Sequence, residues 1–148
     1  MSDAGVVRLL LFRVGDVVFA AEAERVREIL PRLVPTRIPG APAVVAGLVN
    51  VRGTLVTVVE GWRALRQAEP AADAGPGTTV LLEVGGSKVL GFTVDEVVDL
   101  LSVGGEELER RQALAGMDPT LVRAVGRRAG QLFVVLDTDA LLTPILSS

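Results

Sequence analysis

Residues 44–62 read VVAGLVNVRGTLVTVVEGW, two short aliphatic runs on either side of a polar break. The break is Asn50–Gly53, and Asn and Gly are the residues that most readily accept the tight or left-handed backbone of a turn. The second run, Leu55–Val59, is rich in β-branched residues and short for a helix, so two strands joined by a turn are predicted. Arg52 is the only charged residue between positions 45 and 59. A cation at such a tip is a solvated side chain, an ion-pair partner or a contact point.

The sequence contains an internal duplication. Gly53–Glu60 aligns without gaps with Gly130–Asp137, and the glycine and the acid both fall in register. Earlier in each copy, Leu10–Asp16 resembles Leu81–Gly86, and each segment leads into a hairpin signal and a second apolar run. Because a shared bias in composition would not keep the glycine and the acid in register, we infer a duplication of about 70 residues.

Each copy predicts several short strands and a brief helical tail. Four or five strands in so short a segment hide their edges by curling into a small barrel. We therefore divide the chain into a first barrel, mostly residues 10–66, and a second, mostly residues 80–148. Residues 67–79 are rich in Ala, Pro, Gly and Asp, and they predict a mobile linker loop. Strand alternation and the agreement of the copies predict one buried face that holds Leu55, Val59, Leu132, Val134 and Leu136.

Two segments have helical character. Propensity alone favours a helix over Ala21–Leu30, but the equivalent segment of the second copy, Phe92–Leu101, is rich in valine. We therefore predict a short turn of helix at most, followed by a strand through Glu28 and Ile29. Gly104–Leu114 begins with acids and ends near arginines, a pattern typical of a short surface helix.

Composition limits the classes of function. The chain of 148 residues is about the size of one domain, and its net charge of −3 with scattered basic residues does not indicate nucleic-acid binding. It has no Cys and no His, so disulfides, thiolate chemistry, the usual general base and the commonest metal ligand are excluded. We identify no signal peptide and no apolar run long enough to span a membrane, and we expect a cytoplasmic protein.

The carboxylates do not form a recognisable catalytic pattern. Paired acids can perform acid–base chemistry, and the candidates are Asp95-Glu96, Glu106-Glu107, and Asp137 with Asp139. Without His, Cys or a metal-binding cluster, such acids more often cap helices or lie on the surface. Trp62, the sole tryptophan, is expected in the core, with an interface anchor as the alternative. We predict no enzymatic activity, cofactor or metal.

Several motifs in order resemble the CheW family. They are Gly47–Gly53 with Glu60 and Arg63 after it, Phe12–Asp16 followed by Phe19, Val26–Ile29, and Thr36–Pro39. The resemblance covers nearly the whole chain. It implies an all-β fold, a single CheW-like domain over residues 1–148, in which two similar five-stranded small β-barrels with short helical turns pack side by side and share a core.

The resemblance also implies a function. CheW proteins are scaffolds that couple chemoreceptor signalling tips to the regulatory domain of the histidine kinase CheA, which has a similar fold. By position, Asn50, Arg52 and Gly53 match the family's Asn-x-Arg-Gly turn. The neighbouring segment that supports this turn and helps to face the receptor is matched by Val26, Glu28 and Ile29, and Arg37 is included among the partner-binding residues. Repeat and resemblance together predict that an ion pair between Glu28 and Arg52 fixes the turn.

Some residues depart from the family pattern. Thr57 stands where the family usually has proline, and Glu60-Gly61-Trp62 stands where it has Asp-Leu-Arg. A divergent paralogue that serves another two-component array with a single partner is therefore an alternative. From different classes, a small-ligand-binding β-barrel would need an internal cavity, and a carboxylate hydrolase would need two acids that converge in a cleft.

Overall fold

A computed structural model describes residues 5–110 and 116–146. Over these residues the chain forms ten β-strands and two short α-helices. In chain order they are β1 (Val6–Val14), β2 (Val17–Glu22), β3 (Val26–Pro31), β4 (Val45–Val51), β5 (Thr54–Val59), α1 (Gly61–Ala64), β6 (Thr78–Val84), β7 (Lys88–Val94), β8 (Glu96–Gly104), β9 (Val122–Arg128), β10 (Gln131–Leu136) and α2 (Thr138–Leu146).

The strands form two five-stranded sheets, in the orders β8-β1-β2-β10-β9 and β3-β6-β7-β5-β4. The two orders are equivalent strand by strand: β1 and β2 hold the places that β6 and β7 hold in the other sheet. In the same way β8, β9 and β10 correspond to β3, β4 and β5. The two parallel contacts are equivalent as well, because Val134 pairs with Phe19 and Thr57 pairs with Leu90. The sheets therefore carry the duplication that the sequence predicted.

The copies exchange strands, which the predicted division into residues 10–66 and 80–148 did not include. Each sheet combines the first hairpin of one copy with the last three strands of the other. The physical reason is strand pairing on both sides of each hairpin: β2 pairs with β10 and β7 with β5 in parallel, while β1 pairs with β8 and β6 with β3 in antiparallel ladders. A repeat identifies equivalent strands, but it does not say which copy each strand pairs with.

Each sheet closes into a small barrel through one bridge beyond its strands. Thr36, in the chain after β3, exchanges two backbone hydrogen bonds of 2.8 Å with Leu48 of β4. Glu109, after β8, forms the equivalent bridge to Val125 of β9, at 2.7 and 2.8 Å. Next to the first bridge, a side chain on Gly47 would clash with the Thr36 carbonyl, so only glycine lets the two segments approach.

Three apolar clusters fill the molecule. One cluster draws on both sheets and lies between the barrels; it includes Phe12, Phe19, Phe92 and Val134. The other two each draw on a single sheet and fill its barrel. Strand β1 contributes to two clusters, because alternate residues point into its own barrel and towards the other barrel. The strands therefore read as continuous apolar runs rather than as alternating patterns.

The predicted buried face is correct in part. Val59, Val134 and Leu136 are buried, but Leu55 is 67% exposed and Leu132 is 41% exposed. Both exposed leucines lie directly after a hairpin turn. The parallel neighbour covers β5 only from Thr57 onward and β10 only from Phe133 onward, so no strand covers the leucine on that side.

The helical segments are short. A single 3₁₀ turn at Ala23–Arg25 leads directly into β3, which confirms the prediction of a short turn followed by a strand. The helix predicted over Gly104–Leu114 is wrong for its described part, which has one 3₁₀ turn at Gly105–Glu107; residues 111–115 lie outside the described residues. Residues 67–77 hold no helix or strand, but the predicted loop ends early because β6 already begins at Thr78.

Two threonines of the second sheet allow a test of this packing. The Thr79 hydroxyl is fully buried and has no hydrogen-bond partner within the described residues, whereas the Thr93 hydroxyl accepts a 3.0 Å bond from the Gly61 amide. Thr79→Val removes an unpaired polar group at nearly constant volume, so it should raise the free energy of unfolding by about 1 kcal/mol. Thr93→Val, the matched control, should lower it by about 1–3 kcal/mol. Urea unfolding measures both; equal destabilisation would contradict the assignment of Thr79.

Candidate functional site

The hairpin between β4 and β5 turns through Arg52 and Gly53. Both have positive φ, 50° and 86°, as a two-residue type I′ turn requires. The Asn50 side chain accepts a 2.7 Å hydrogen bond from the Gly53 amide and so fixes the turn from within. Glycine or asparagine is usual where Arg52 stands, and a left-handed arginine is a strained conformation that must be held by its surroundings.

Arg52 is held by Glu28. Its guanidinium donates two hydrogen bonds to the carboxylate, one of 3.1 Å from Nη1 to Oε2 and a second from Nη2 to Oε1. Glu28 lies on β3 and the turn begins at the end of β4, so the ion pair joins the two outer strands of the second sheet beside the Thr36–Leu48 bridge. The ion pair that the sequence predicted is therefore present.

The pair is charged and faces solvent. The Arg52 hydrogen bond holds the pKa of the Glu28 carboxyl below its ordinary value, although partial burial opposes this shift. The same hydrogen bond raises the pKa of Arg52. The side chains are 70% exposed for Arg52 and 31% for Glu28. At neutral pH the turn thus presents an ordered, zwitterionic pair at the surface.

The barrel formed by the sheet β8-β1-β2-β10-β9 contains an equivalent pair that sequence analysis missed. Asp99 of β8 accepts a 2.7 Å bond from Arg128 Nε, at the end of β9. This bond holds the pKa of the Asp99 carboxyl below its ordinary value. The turn that follows again has two positive φ angles, at Ala129 and Gly130. The repeat alignment could have revealed this pair. It did not, because Arg128 aligns with Val51, one position before Arg52.

Exposed apolar side chains flank both pairs. Ile29 and Leu55 accompany the first pair and are 46% and 67% exposed; Leu100 and Leu132 accompany the second and are 56% and 41% exposed. An open groove of about 390 Å³ lies where β3 of one barrel faces β8 of the other. Its apolar lining includes Val26, Ile29, Val97, Val98 and Leu100.

The structure thus brings together most of the predicted site residues. Asn50, Arg52 and Gly53 form the turn and Glu28 holds it, while Val26 and Ile29 of the same strand line the groove between the barrels. Arg37 is exposed in the loop between β3 and β4, next to the Thr36 bridge. Within residues 5–110 and 116–146, no hydrogen bond or ion pair joins Arg37 to the turn.

Most of the acids considered as catalytic candidates have structural partners. Asp95 accepts bonds from Arg13 and from the Gly15 amide, at 3.1 and 2.9 Å. Asp139 accepts bonds from Arg25 and from the Gly85 amide, and Asp137 caps α2. No group of three or more acids that could hold a metal ion occurs in the described part of the chain.

Two other sequence expectations are settled by packing. Among the residues that the structure describes, buried apolar side chains fill the interior of both barrels, as is usual for small barrels, where a ligand-binding barrel would need a cavity. Trp62 is partly buried against the cluster between the barrels, with the Arg63 guanidinium 4.3 Å from its ring centre. Trp62 therefore has the core role that the sequence favoured.

No helix within the described ranges is long and apolar enough to cross a membrane.

A family model described as "CheW-like domain" matches residues 8–145. The chain is 29% identical to the chemotaxis protein CheW of Rhizobium meliloti over 133 residues, which cover 89% of this chain and 84% of that protein. It is 26% identical to the CheW of Treponema pallidum, with 92% and 82% covered. Protein FrzA of Myxococcus xanthus is 35% identical over 89 residues, or 60% of this chain and 54% of that protein.

The fold also matches a solved structure. The crystal structure of the scaffolding protein TtCheW from Thermoanaerobacter tengcongensis superposes with a TM-score of 0.82, covers 92% of both chains and shares 17% sequence identity. Two five-stranded sheets with short helices are therefore the fold of this chain, as the resemblance predicted.

The Glu28–Arg52 ion pair leads to a testable prediction about the pKa of the Glu28 carboxyl. Arg52→Ala removes the bond that holds the pKa of Glu28 low, so the pKa should rise towards its ordinary value. Because the folded-state pKa is lowered, any stabilisation from the pair is present above the unfolded-state pKa and is lost as pH falls through the folded-state value. NMR titration of the Glu28 carboxyl measures the shift. Arg128→Ala should leave Glu28 unchanged and raise the pKa of Asp99 instead; an unshifted Glu28 in Arg52→Ala would mean that the pair does not form in solution.

Proposed function

Because the chain belongs to the CheW family, we propose that it is a non-enzymatic cytoplasmic scaffold that couples chemoreceptor signalling tips to the regulatory domain of a CheA-type histidine kinase. One observation carries the proposal: the Asn50–Gly53 turn is strained, exposed, and held in place by Glu28. The left-handed backbone belongs to the turn, because the equivalent turn of the other copy holds Ala129 at the same φ of 50°. What distinguishes the first turn is an exposed guanidinium held by Glu28, and such an ion pair is worth only about 0–1 kcal/mol of stability. A partner that reads the ordered guanidinium accounts for its presence there.

The surface around the turn has the composition of a protein interface. Arginine is enriched at such interfaces, and energetically important contacts combine it with well-placed apolar side chains. Leu55 projects from the first part of β5, next to the turn, and is largely exposed. We assign this surface, defined by Asn50, Arg52, Gly53 and Leu55, to the kinase regulatory domain.

The groove between the barrels has a different chemistry. Its lining is mostly apolar, and its open form suits the apolar face of a helix. Val26 and Ile29 line one side, and Glu28 between them belongs to the ion pair, so the strand β3 connects the groove to the turn. We assign the groove to the helical signalling tip of the receptor. A single strand would then link the two partners.

The departures from the family pattern are accommodated inside the molecule. Gly61 is buried, and a side chain there would clash with the Thr93 carbonyl and the Phe92 ring. Trp62 packs on the cluster between the barrels, and Thr57 lies in β5 between Leu48 and Leu90. These changes concern the packing of α1 and β5 and leave the residues of the turn in place.

A second candidate function is the same scaffolding role in another two-component array, with one partner retained. The match to FrzA, a related signalling paralogue, favours this candidate because its 35% identity exceeds that of the two CheW relatives above, although over a shorter segment. Binding of the kinase domain without the receptor tip, or the reverse, would identify this case.

The turn can be tested by a double-mutant cycle. Arg52→Ala, Glu28→Ala and the double variant should each weaken binding to a CheA regulatory domain, and the double variant should be little worse than either single one, because the two residues act as a unit. The melting temperature should hardly change, since the pair lies at the surface, with Arg52 exposed and Glu28 partly exposed. Isothermal titration calorimetry and thermal unfolding separate the two effects.

The matched control is the equivalent pair of the barrel formed by the sheet β8-β1-β2-β10-β9. Arg128→Ala removes the same type of interaction from Asp99 and should leave the affinity for the isolated kinase domain unchanged. Additive losses in the Arg52–Glu28 cycle would mean that the two residues act independently. Full affinity in all three variants would remove the turn from the interface.

A further inference from the structure

A cleft lies between α1 and α2, and nothing above assigns it a role. It has a volume of about 840 Å³, within the range of roughly 300–1,000 Å³ that is typical of small-molecule sites. One wall is apolar and includes Met117, Leu121 and Ile145. The lining also includes two arginines, Arg63 of α1 and Arg66 just after it, and the acid Asp118. Apolar and cationic groups therefore line one cavity.

Arg66 has a conformation that sequence alone would not select. Helix α1 ends at Ala64, Leu65 is its C-cap, and Arg66 follows with a φ of 56°. This position after a helix usually holds glycine, because a side chain there is strained. In the second copy the equivalent residue, Thr143, lies within α2, which continues to Leu146. The first copy thus ends its helix early and places a strained arginine at the mouth of the cleft.

The charge of the cleft is positive on balance. Its lining has two arginines, Arg63 and Arg66, and one acid, Asp118, whose pKa is lowered by bonds from Thr120 and by the charge of Arg66. The Asp118 carboxylate accepts its bonds from the Thr120 amide and hydroxyl, at 2.9 and 2.7 Å, and within residues 5–110 and 116–146 no hydrogen bond joins it to Arg66. Arg63 lies above the Trp62 ring and reaches Glu60 at 3.5 Å. The hydrogen-bond donors of Arg66 are therefore the ones that remain available to a ligand.

We propose that this cleft binds an amphipathic carboxylate, with its hydrocarbon body on the wall formed by Met117, Leu121 and Ile145 and its carboxylate on Arg66. A guanidinium fork matches a carboxylate in a bidentate geometry, and a partly enclosed apolar wall excludes water from the chain of the ligand. The strain at Arg66 then has a functional reason, because a glycine would relieve the strain and lose the ligand. The proposal does not depend on the kinase or the receptor.

Methionine NMR provides a direct test with decanoate as the probe. The chain has two methionines, Met1 and Met117, so ¹³C-methyl labelling gives two signals, and Met117→Leu assigns them. Titration with decanoate should shift the Met117 signal saturably and leave Met1 unchanged. Decyltrimethylammonium has the same chain with a cationic head and should give no saturable shift. Equal binding of the two amphiphiles, or no saturation with decanoate, would overturn the proposal.

The Arg66→Gly variant tests ligand binding separately from folding stability. It should weaken decanoate binding by about tenfold or more, while the melting temperature stays the same or rises, since glycine suits a left-handed position. Ala129→Gly is the matched control, because it relieves the same backbone conformation in the turn after β9; it should leave decanoate binding unchanged. Arg66→Lys, which keeps the charge and loses the fork, should bind with intermediate affinity. Undiminished binding by Arg66→Gly would overturn the proposal.

Discussion

The parallel pairing of β2 with β10 and of β5 with β7 is the constraint on which the rest of the structure depends. Each pairing covers only three residues of the ladder. Together with the longer antiparallel ladders of β1 with β8 and of β6 with β3, it places each hairpin in the barrel of the other copy. Since each hairpin has one face in its own barrel and one face towards the other, its exchange creates the apolar cluster between the barrels. Neither copy of the repeat could keep this cluster out of water alone, so the two copies must form one cooperative unit.

The same exchange determines where the proposed partner surfaces lie. Once the central strands are paired, β3 and β4 remain as the outer strands of one sheet, and β8 and β9 as those of the other. A single backbone bridge closes each pair of outer strands, and an exposed ion pair then joins a turn to the opposite outer strand. The seams of the barrels are therefore the places where exposed charges and uncovered leucines meet, which is why surfaces for partners can form there without weakening the core.

Sequence and resemblance predicted the local features well, because these depend on neighbours. The Asn50–Gly53 turn, the short turn before β3 and the register of Gly53 with Gly130 all follow from residues close together in the chain. The exposure of Leu55 and Leu132 could not be predicted, because it depends on how far the parallel neighbour reaches. The exchange of hairpins was hidden for the same reason, and the Asp99–Arg128 pair was hidden by a shift of one residue.

The duplicated copies have diverged where they are not required to pack. Both keep two positive φ angles in the turn and an ion pair to the outer strand, but the arginine occupies the left-handed position only in the first copy. The helical tails differ more: α2 continues past the position at which α1 stops at a strained Arg66. In a symmetric fold, strain present in one copy and absent from the equivalent position in the other is not demanded by the architecture. Arg66 meets that condition, because its equivalent, Thr143, lies within α2. The left-handed backbone of Arg52 recurs at Ala129 and belongs to the turn itself, so only the arginine side chain and its bond to Glu28 distinguish the first turn from the second.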